Sequence, residues 1–485
     1  MNFFSFKKIN KTFLFYLLIK LLIIKYSNNY IILPFKSTHL NLNLNDDYDK
    51  KIYYVDFLLS ELNKNQLYSI VPIGNPPKNL EFYFTMDNTL YPVLSGYCPN
   101  ESISSYNPNL SQNFKNLTEY IVTVGPIING AIAKDNCSFY NELNLSGMKY
   151  IENFEFLVGN YSSSSIELNK NKYCGMLGLY KSSPGGYAYA KNFIKFLKEE
   201  KIINSYTWGL FFFDKDKSYN IDSKIQNEYE GFYIVGIEDE DYLKIFKTSN
   251  ISNVNSIDNN INFKIYFDEP SKSNTNIICS YNSLVHFIVD YNYILADKEY
   301  YNNIVKYFFQ KYIDEKICEE NYSFKVYEGR TKVIICDSSF KKNINSFPNI
   351  YFQNKELSFT FSLDYNDVFL ESNNKIYFLV IYKEILHPVW KLGKIFMRKY
   401  PLIFDQDKKT ISFINLNKFE NKKDNDNNNF NSKLKEYLLS SLLFIGIIIG
   451  LFIGRRIWNK HRKLKANELE ENYEYISHNK ILYNK

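Results

Sequence analysis

The chain has 485 residues, 45% of them hydrophobic, enough to bury a sizeable core and, at roughly 100 to 200 residues per domain, to form two lobes with appendages. Its formal net charge of +6 is small for that length and is not gathered into a stripe, which argues against nucleic acid as a partner. Six cysteines with no Cys-x-x-Cys pair, and only five histidines, argue against a zinc or redox centre, and neither a metal nor another cofactor is expected.

At the amino terminus Lys7, Lys8 and Lys11 precede TFLFYLLIKLLIIKY. A basic flank before an apolar run reads residues 1–27 as a signal peptide or signal anchor for the secretory pathway. Lys20 interrupts the run and no small-residue cleavage site follows Ile24, so cleavage stays open. DDYDKKIYYVDFLLSELNK follows, with apolar content compatible with a permanent first strand.

Short runs rich in aromatic and β-branched residues then recur between Asn, Gly, Pro and Ser. YSIVPIG, FEFLVG, WGLFFF, GFYIVGI, NFKIYF, YSFKVY, TKVIIC, NIYF, LSFTFSL and KIYFLVIY all have strand length and suit a pleated, half-buried surface. Helical spacing is confined to Ala188–Lys201 and Lys298–Ile313. The body is therefore mainly β with two or three helices. Two stretches echo each other within it. EFYFTMDNTLY, Glu81 to Tyr91, runs an aromatic segment into Thr85, with Asp87 two residues beyond. FIVDYNYIL, Phe287 to Leu295, runs an apolar segment into Asp290, one carboxylate at the point where a strand must turn. His286 reads as a half-buried strand histidine with no nucleophile turn anywhere in the chain to partner it.

In an oxidising lumen an even number of cysteines suggests disulfides. Cys318 with Cys336 closes a loop of under twenty residues, and Cys98 with Cys137 is a second candidate pair. Asn-x-Ser/Thr sites at Asn100, Asn109, Asn116, Asn136, Asn144, Asn160, Asn250 and Asn321 fit the same compartment, although in so Asn-rich a chain several are accidental.

Residues 419–436 read as a solvated polar linker. The 18-residue stretch 437–454, YLLSSLLFIGIIIGLFIG, carries no charge and reaches ~27 Å as a helix, enough for a thinner bilayer. RRIWNKHRKLK follows at once, and positive charge is retained on the cytoplasmic side. Residues 455–485 are then a cytoplasmic tail, the body is lumenal or extracellular, and the topology is single-pass type I. Tyr473-Glu474-Tyr475-Ile476 has the spacing of a tyrosine-based sorting signal.

The order of short motifs along the body resembles the pepsin-like eukaryotic aspartic peptidases. YSIVPIGNPPKNLEFYF is similar to that family's opening hairpin with its Ile-Gly-x-Pro-Pro turn, and YNPNLSQNFKNL to its Asn-Pro-x-x-Ser-x-x-Phe segment. FEFLVG with CGMLGLY, then GFYIVGIEDEDY, resemble the close of its first lobe and the opening of its second. FPNIYFQNKELSFTFSLDYNDVF and WKLGKIFMRKYPLIFDQDKKTISF resemble the end of the second. The resemblance implies a bilobal pepsin-like aspartic protease fold, two β-rich lobes (residues 68–225 and 226–418) around a central cleft, with the one C-terminal transmembrane helix added. Residues 28–67 would then be a pro-segment or an N-terminal strand, and the partner a peptide or protein.

The family works with two aspartates, one per lobe, each in an Asp-Thr/Ser-Gly turn. Like charges ~3 Å apart cannot both ionise, so the pair shares one proton, activating water and protonating the peptide carbonyl. This sequence departs from that pattern. Thr85 stands where the first aspartate belongs, followed by Met86 and Asp87; Asp290 keeps the second position but is followed by Tyr291 and Asn292. The flap segment VTVGPIING offers Val124 and Gly125 where a Tyr before Gly is usual, and Lys394 replaces an acidic residue after Leu-Gly. Two functions follow: a binding protein that no longer cleaves, or an aspartic endopeptidase using Asp290 with a displaced Asp87. An unrelated all-β receptor ectodomain is the third reading.

Overall fold

The computed structural model describes residues 30–37, 51–63, 66–85, 93–95, 106–118, 122–124, 128–142, 144–161, 175–179, 193–213, 223–238, 241–242, 251–256, 260–268, 277–325, 329–357, 359–384 and 390–414, with isolated helical positions between 455 and 467. The chain divides into two units, residues 1–416 and 417–485. Within the first, the described strands form two sheets, one of 14 strands and one of 11.

IILPF is apolar at successive positions, the pattern of a strand covered on both faces. Ile31–Ser37 accordingly lies inside the larger sheet, antiparallel to Gly231–Val235 on one side (Ile31 opposite Val235) and to Leu67–Ile73 on the other (Phe35 opposite Ser69). The sheet continues through Lys78–Thr85, Gly175–Gly178, Val93–Ser95, Met148–Tyr161 and Ile128–Tyr140 in one direction. In the other it passes through Thr207–Phe212 to the hairpin Leu402–Asp405 and Thr410–Ile414. The end of the chain's body thus closes onto its middle. Trp208 stacks on Phe404 at 4.0 Å, and Phe287, next to the Asp290 loop, packs edge-on against Phe404 and Phe413. The main core therefore runs through both sheets, and the Asp290 loop is held from behind by the C-terminal hairpin.

Each sequence-predicted strand has a counterpart. KIYFLVIY differs in that Leu379 divides it into Lys375–Phe378 and Val380–Lys383: both pair with Gly329–Asp337, the first also with Phe369–Ser372 and the second with Ile294–Ala296. The Lys298–Ile313 helix forms with a π turn, Val305–Phe309, in its middle, and the described part of the other predicted helix is Phe193–Glu199.

Residues 28–67, read as a pro-segment or an N-terminal strand, contain the strand Ile31–Ser37, but the described part of DDYDKKIYYVDFLLSELNK is not a strand. Lys51–Asn63 is a helix. Val55, Leu58 and Leu62, at spacings of three and four, are buried on one face and pack against Leu295, Val333 and Tyr377 of the smaller sheet and Tyr293 of the turn before Ile294. Asp56 accepts from the Ser323 hydroxyl at 2.9 Å, and the hydroxyls of Tyr54 and Tyr377 meet at 3.1 Å.

Cys318 and Cys336 face each other across the hairpin Cys318–Lys325 and Gly329–Asp337 and are bonded. The pairing of Cys98 with Cys137 is corrected: Cys137 carries a free thiol. Its strand is paired with neighbours on both sides, Ile73 and Ile151, and its side chain is buried in the core, which pushes the thiol pKa well up. Cys98 lies outside the described residues. Two of the glycosylation sites are also corrected, since Asn136 and Asn321 are buried within strands and leave no room for a glycan. Asn109, Asn116 and Asn144 are exposed. Residues 1–27 and 437–454 lie outside the described residues, among which no helix is long and apolar enough to cross a membrane.

Candidate active site

Asp290 sits half-buried in the turn 288–293 between two strands that flank a third. Ile277–Phe287 runs parallel to Trp390–Leu392, with Phe287 opposite Leu392. Ile294–Ala296 runs antiparallel along the other edge of the same strand, with Ile294 also opposite Leu392. The turn is thus pinned over the end of Trp390–Leu392. The Ile288 N–H donates to the Leu392 carbonyl at 2.9 Å and the Lys394 N–H to the Tyr291 carbonyl at 2.8 Å. Gly393 is required between them: a Cβ there would lie 2.3 Å from the Tyr291 carbonyl oxygen and 2.4 Å from that of Tyr293. Tyr291 and Tyr293 stack at 4.9 Å, and the Asn292 amide donates to the Leu62 carbonyl, joining the turn to the Lys51–Asn63 helix. Beyond the turn, Asp297 accepts from the Trp390 indole at 2.8 Å and caps the following helix through the Tyr300 N–H.

The larger sheet repeats this plan. Lys78–Thr85 runs parallel to Gly175–Gly178, and Val93–Ser95 runs antiparallel along the other edge, so Gly175–Gly178 takes the place of Trp390–Leu392. The outer neighbours correspond too: Val93–Ser95 is parallel to Met148–Tyr161 as Ile294–Ala296 is parallel to Val380–Lys383. Thr85 ends its strand opposite Gly178. Asp87 lies outside the described residues. Val124 is the last paired residue of the Val122–Val124 strand, opposite Ile128, and Gly125 also lies outside them.

Lys394 opens the helix Lys394–Lys399 directly behind the Asp290 turn and is 1% exposed. Its pKa is lowered to about 7, chiefly by burial and then by Arg398, while Asp290 and Glu230 act in the opposite direction. Glu230 pairs with Arg398 at 3.6 Å and accepts from the Ser37 backbone N–H at 3.1 Å and from the Ser37 hydroxyl. A cavity of about 520 Å³ opens between this helix, the Asp290 turn and the end of the Lys51–Asn63 helix. Lys394, Arg398 and Lys399 line it together with Asp364 and Asp367, and Lys399 is bonded to Asp367 at 2.7 Å. Among the described residues no cluster of His, Cys, Asp or Glu is suited to a metal ion. The sequence marked Lys394 as a departure in a motif but gave no sign that it is buried. The tie between Asn292 and Leu62 was missed; the one available signal for Leu62 was its helical spacing from Val55 and Leu58.

Both sheets thus share one strand plan around a short central strand, and in the smaller sheet that strand carries the pinned turn that bears Asp290. The family model for eukaryotic aspartyl protease matches residues 66–416, and the chain belongs to that family. A comparison with curated proteins gives no match.

Proposed function

We propose that this chain is a membrane-anchored aspartyl-protease-family protein of the secretory or endolysosomal system or the cell surface, impaired in cleavage, that acts by binding a peptide or protein. The observation that carries the reading is Thr85, at the end of the strand that repeats the plan of the Asp290 motif. The family's chemistry needs one ionised and one protonated carboxylate, and a threonine hydroxyl supplies neither the second charge nor the shared proton. Loss of one general acid or base costs ~10² to 10⁴ in rate. Lys394, buried behind the turn where the family pattern has an acid, supports the same reading. The anchor rests on the charge-free run 437–454 and the basic block after it.

The test is cleavage of a broad peptide library by the purified full-length chain at acidic and neutral pH, beside Asp290→Ala and Asp87→Ala variants. No pepstatin-sensitive cleavage is expected. Cleavage abolished by both substitutions would instead establish an active endopeptidase built on Asp290 with Asp87. For the anchor, the chain should resist alkaline extraction from membranes, with its C-terminal tail open to protease on the cytoplasmic side.

A further inference from the structure

The basic block after the charge-free run does more than topology asks of it. A few positive charges beside such a run suffice to hold that end on the cytoplasmic side. Here six, Arg455, Arg456, Lys460, Arg462, Lys463 and Lys465, fall within residues 455–465 with no acid among them. The described positions between 455 and 467 are helical and exposed. Arg455, Trp458, Arg462 and Lys465 are spaced by three, four and three residues, so they share one face of that helix, and Trp458 on it is 67% exposed. Three cations and an indole on one face suit an anionic bilayer boundary, where the ring lies among headgroups and the cations meet phosphates. A helix standing upright on the bilayer would carry Lys465 ~16 Å from the end of the run, beyond the Debye length of ~8 to 10 Å over which the surface attracts. A helix lying along the surface keeps every cation within reach, and Gly454, where a chain turns readily, stands between the run and the basic block.

We propose that residues 455–465 bind anionic phospholipid headgroups of the cytoplasmic leaflet, the helix lying along the bilayer on the face that carries Arg455, Trp458, Arg462 and Lys465. The inference rests on the anchored reading, under which this segment faces the cytoplasm, and adds a ligand for it. Each cation brought near such a surface raises the bound population about fivefold, so the cations beyond the two arginines at the membrane edge decide whether the helix lies down. The tail holds one rival for this face, the glutamates Glu468, Glu470, Glu471 and Glu474 just beyond it. They neutralise charge but offer Trp458 no apolar cover, whereas the bilayer boundary does both.

The test reconstitutes the full-length chain in vesicles of phosphatidylcholine, alone or with about 30% phosphatidylserine in both leaflets, and reads tryptophan quenching by a lipid spin-labelled at its headgroup. Of the three tryptophans, Trp208 and Trp390 are fully buried in the body, so the quenching reports Trp458. It should be about twofold stronger with phosphatidylserine at about 0.1 M salt, and the difference should vanish at about 1 M salt, where the Debye length is ~3 Å. A chain carrying Lys460→Gln, Arg462→Gln, Lys463→Gln and Lys465→Gln keeps Arg455 and Arg456 for topology and should lose most of the difference. Equal quenching in both vesicles, or a difference that survives the four substitutions, overturns the inference and leaves the anchor intact. A difference that appears only after Glu468→Gln, Glu470→Gln, Glu471→Gln and Glu474→Gln overturns it too, and assigns the basic face to the tail's own acids. A chain released from the vesicles by alkaline extraction overturns the anchored reading and this inference with it.

Discussion

The two strand motifs share one plan and differ in the residue that ends the strand and in how closely the backbone is approached. In the smaller sheet the turn carries Asp290, Gly393 lets the backbone pass under the carbonyls of Tyr291 and Tyr293, and Lys394 donates its N–H to Tyr291. In the larger sheet the strand ends on Thr85 opposite Gly178, and the close approach is of another kind: a Cβ on Gly175 would meet the Phe82 ring at 2.6 Å. Strand pairing is thus indifferent to the chemistry it presents. The ladder needs backbone N–H and C=O groups, which Thr85 supplies as well as an aspartate would.

The largest expected effect comes from testing which approach is rigid. Gly393→Ala forces a methyl group into two backbone carbonyls and should cost more than ~4 kcal/mol or abolish folding. Gly175→Ala meets a ring that can shift and should cost ~1 to 3 kcal/mol. Urea denaturation of both variants reads the difference; equal losses would mean the two motifs are equally tight.

Next in size is the charge behind the second motif. The Lys394 pKa is lowered from 10.5 to about 7, so between those values the unfolded chain holds a proton that the folded chain has released. Stability should climb as pH rises from about 7 towards 10.5, by a few kcal/mol at most. Subtracting the pH profile of Lys394→Met should isolate that climb, and parallel profiles would place the ammonium in contact with water.

The smallest effect is expected from placing an acid at Thr85. Thr85→Asp puts a carboxylate at the end of the first motif's strand, followed in the chain by Met86 and Asp87. Assayed against the peptide library at pH 4 to 5, it should show no cleavage above the unaltered chain. Robust pepstatin-sensitive turnover would mean that one residue alone separates this chain from an active peptidase.

Much of the scaffold was legible. The alternating and aromatic runs located the strands, because β pairing at a half-buried surface depends on local side-chain type. Cys318 and Cys336 were read as a pair from a short loop, and a hairpin brings such neighbours together readily. The Lys51–Asn63 helix was not legible as a helix, since its mixed polar and aromatic content suits either state until the smaller sheet offers a face to cover Val55, Leu58 and Leu62. Cys137 misled for the same reason: proximity in a list of cysteines says nothing about which strands surround it.

What the sequence determined by itself, then, was the succession of strands, the family-like motifs along residues 66–416, and the position of Asp290 at a strand end. These depend on local pattern and chain order. Tertiary structure alone decided that Lys394 lies buried behind Asp290, that Asn292 is tied to Leu62, and that a cavity joins them. Those residues are far apart in the chain, and burial and charge are set by what packs around a side chain, which local sequence does not encode.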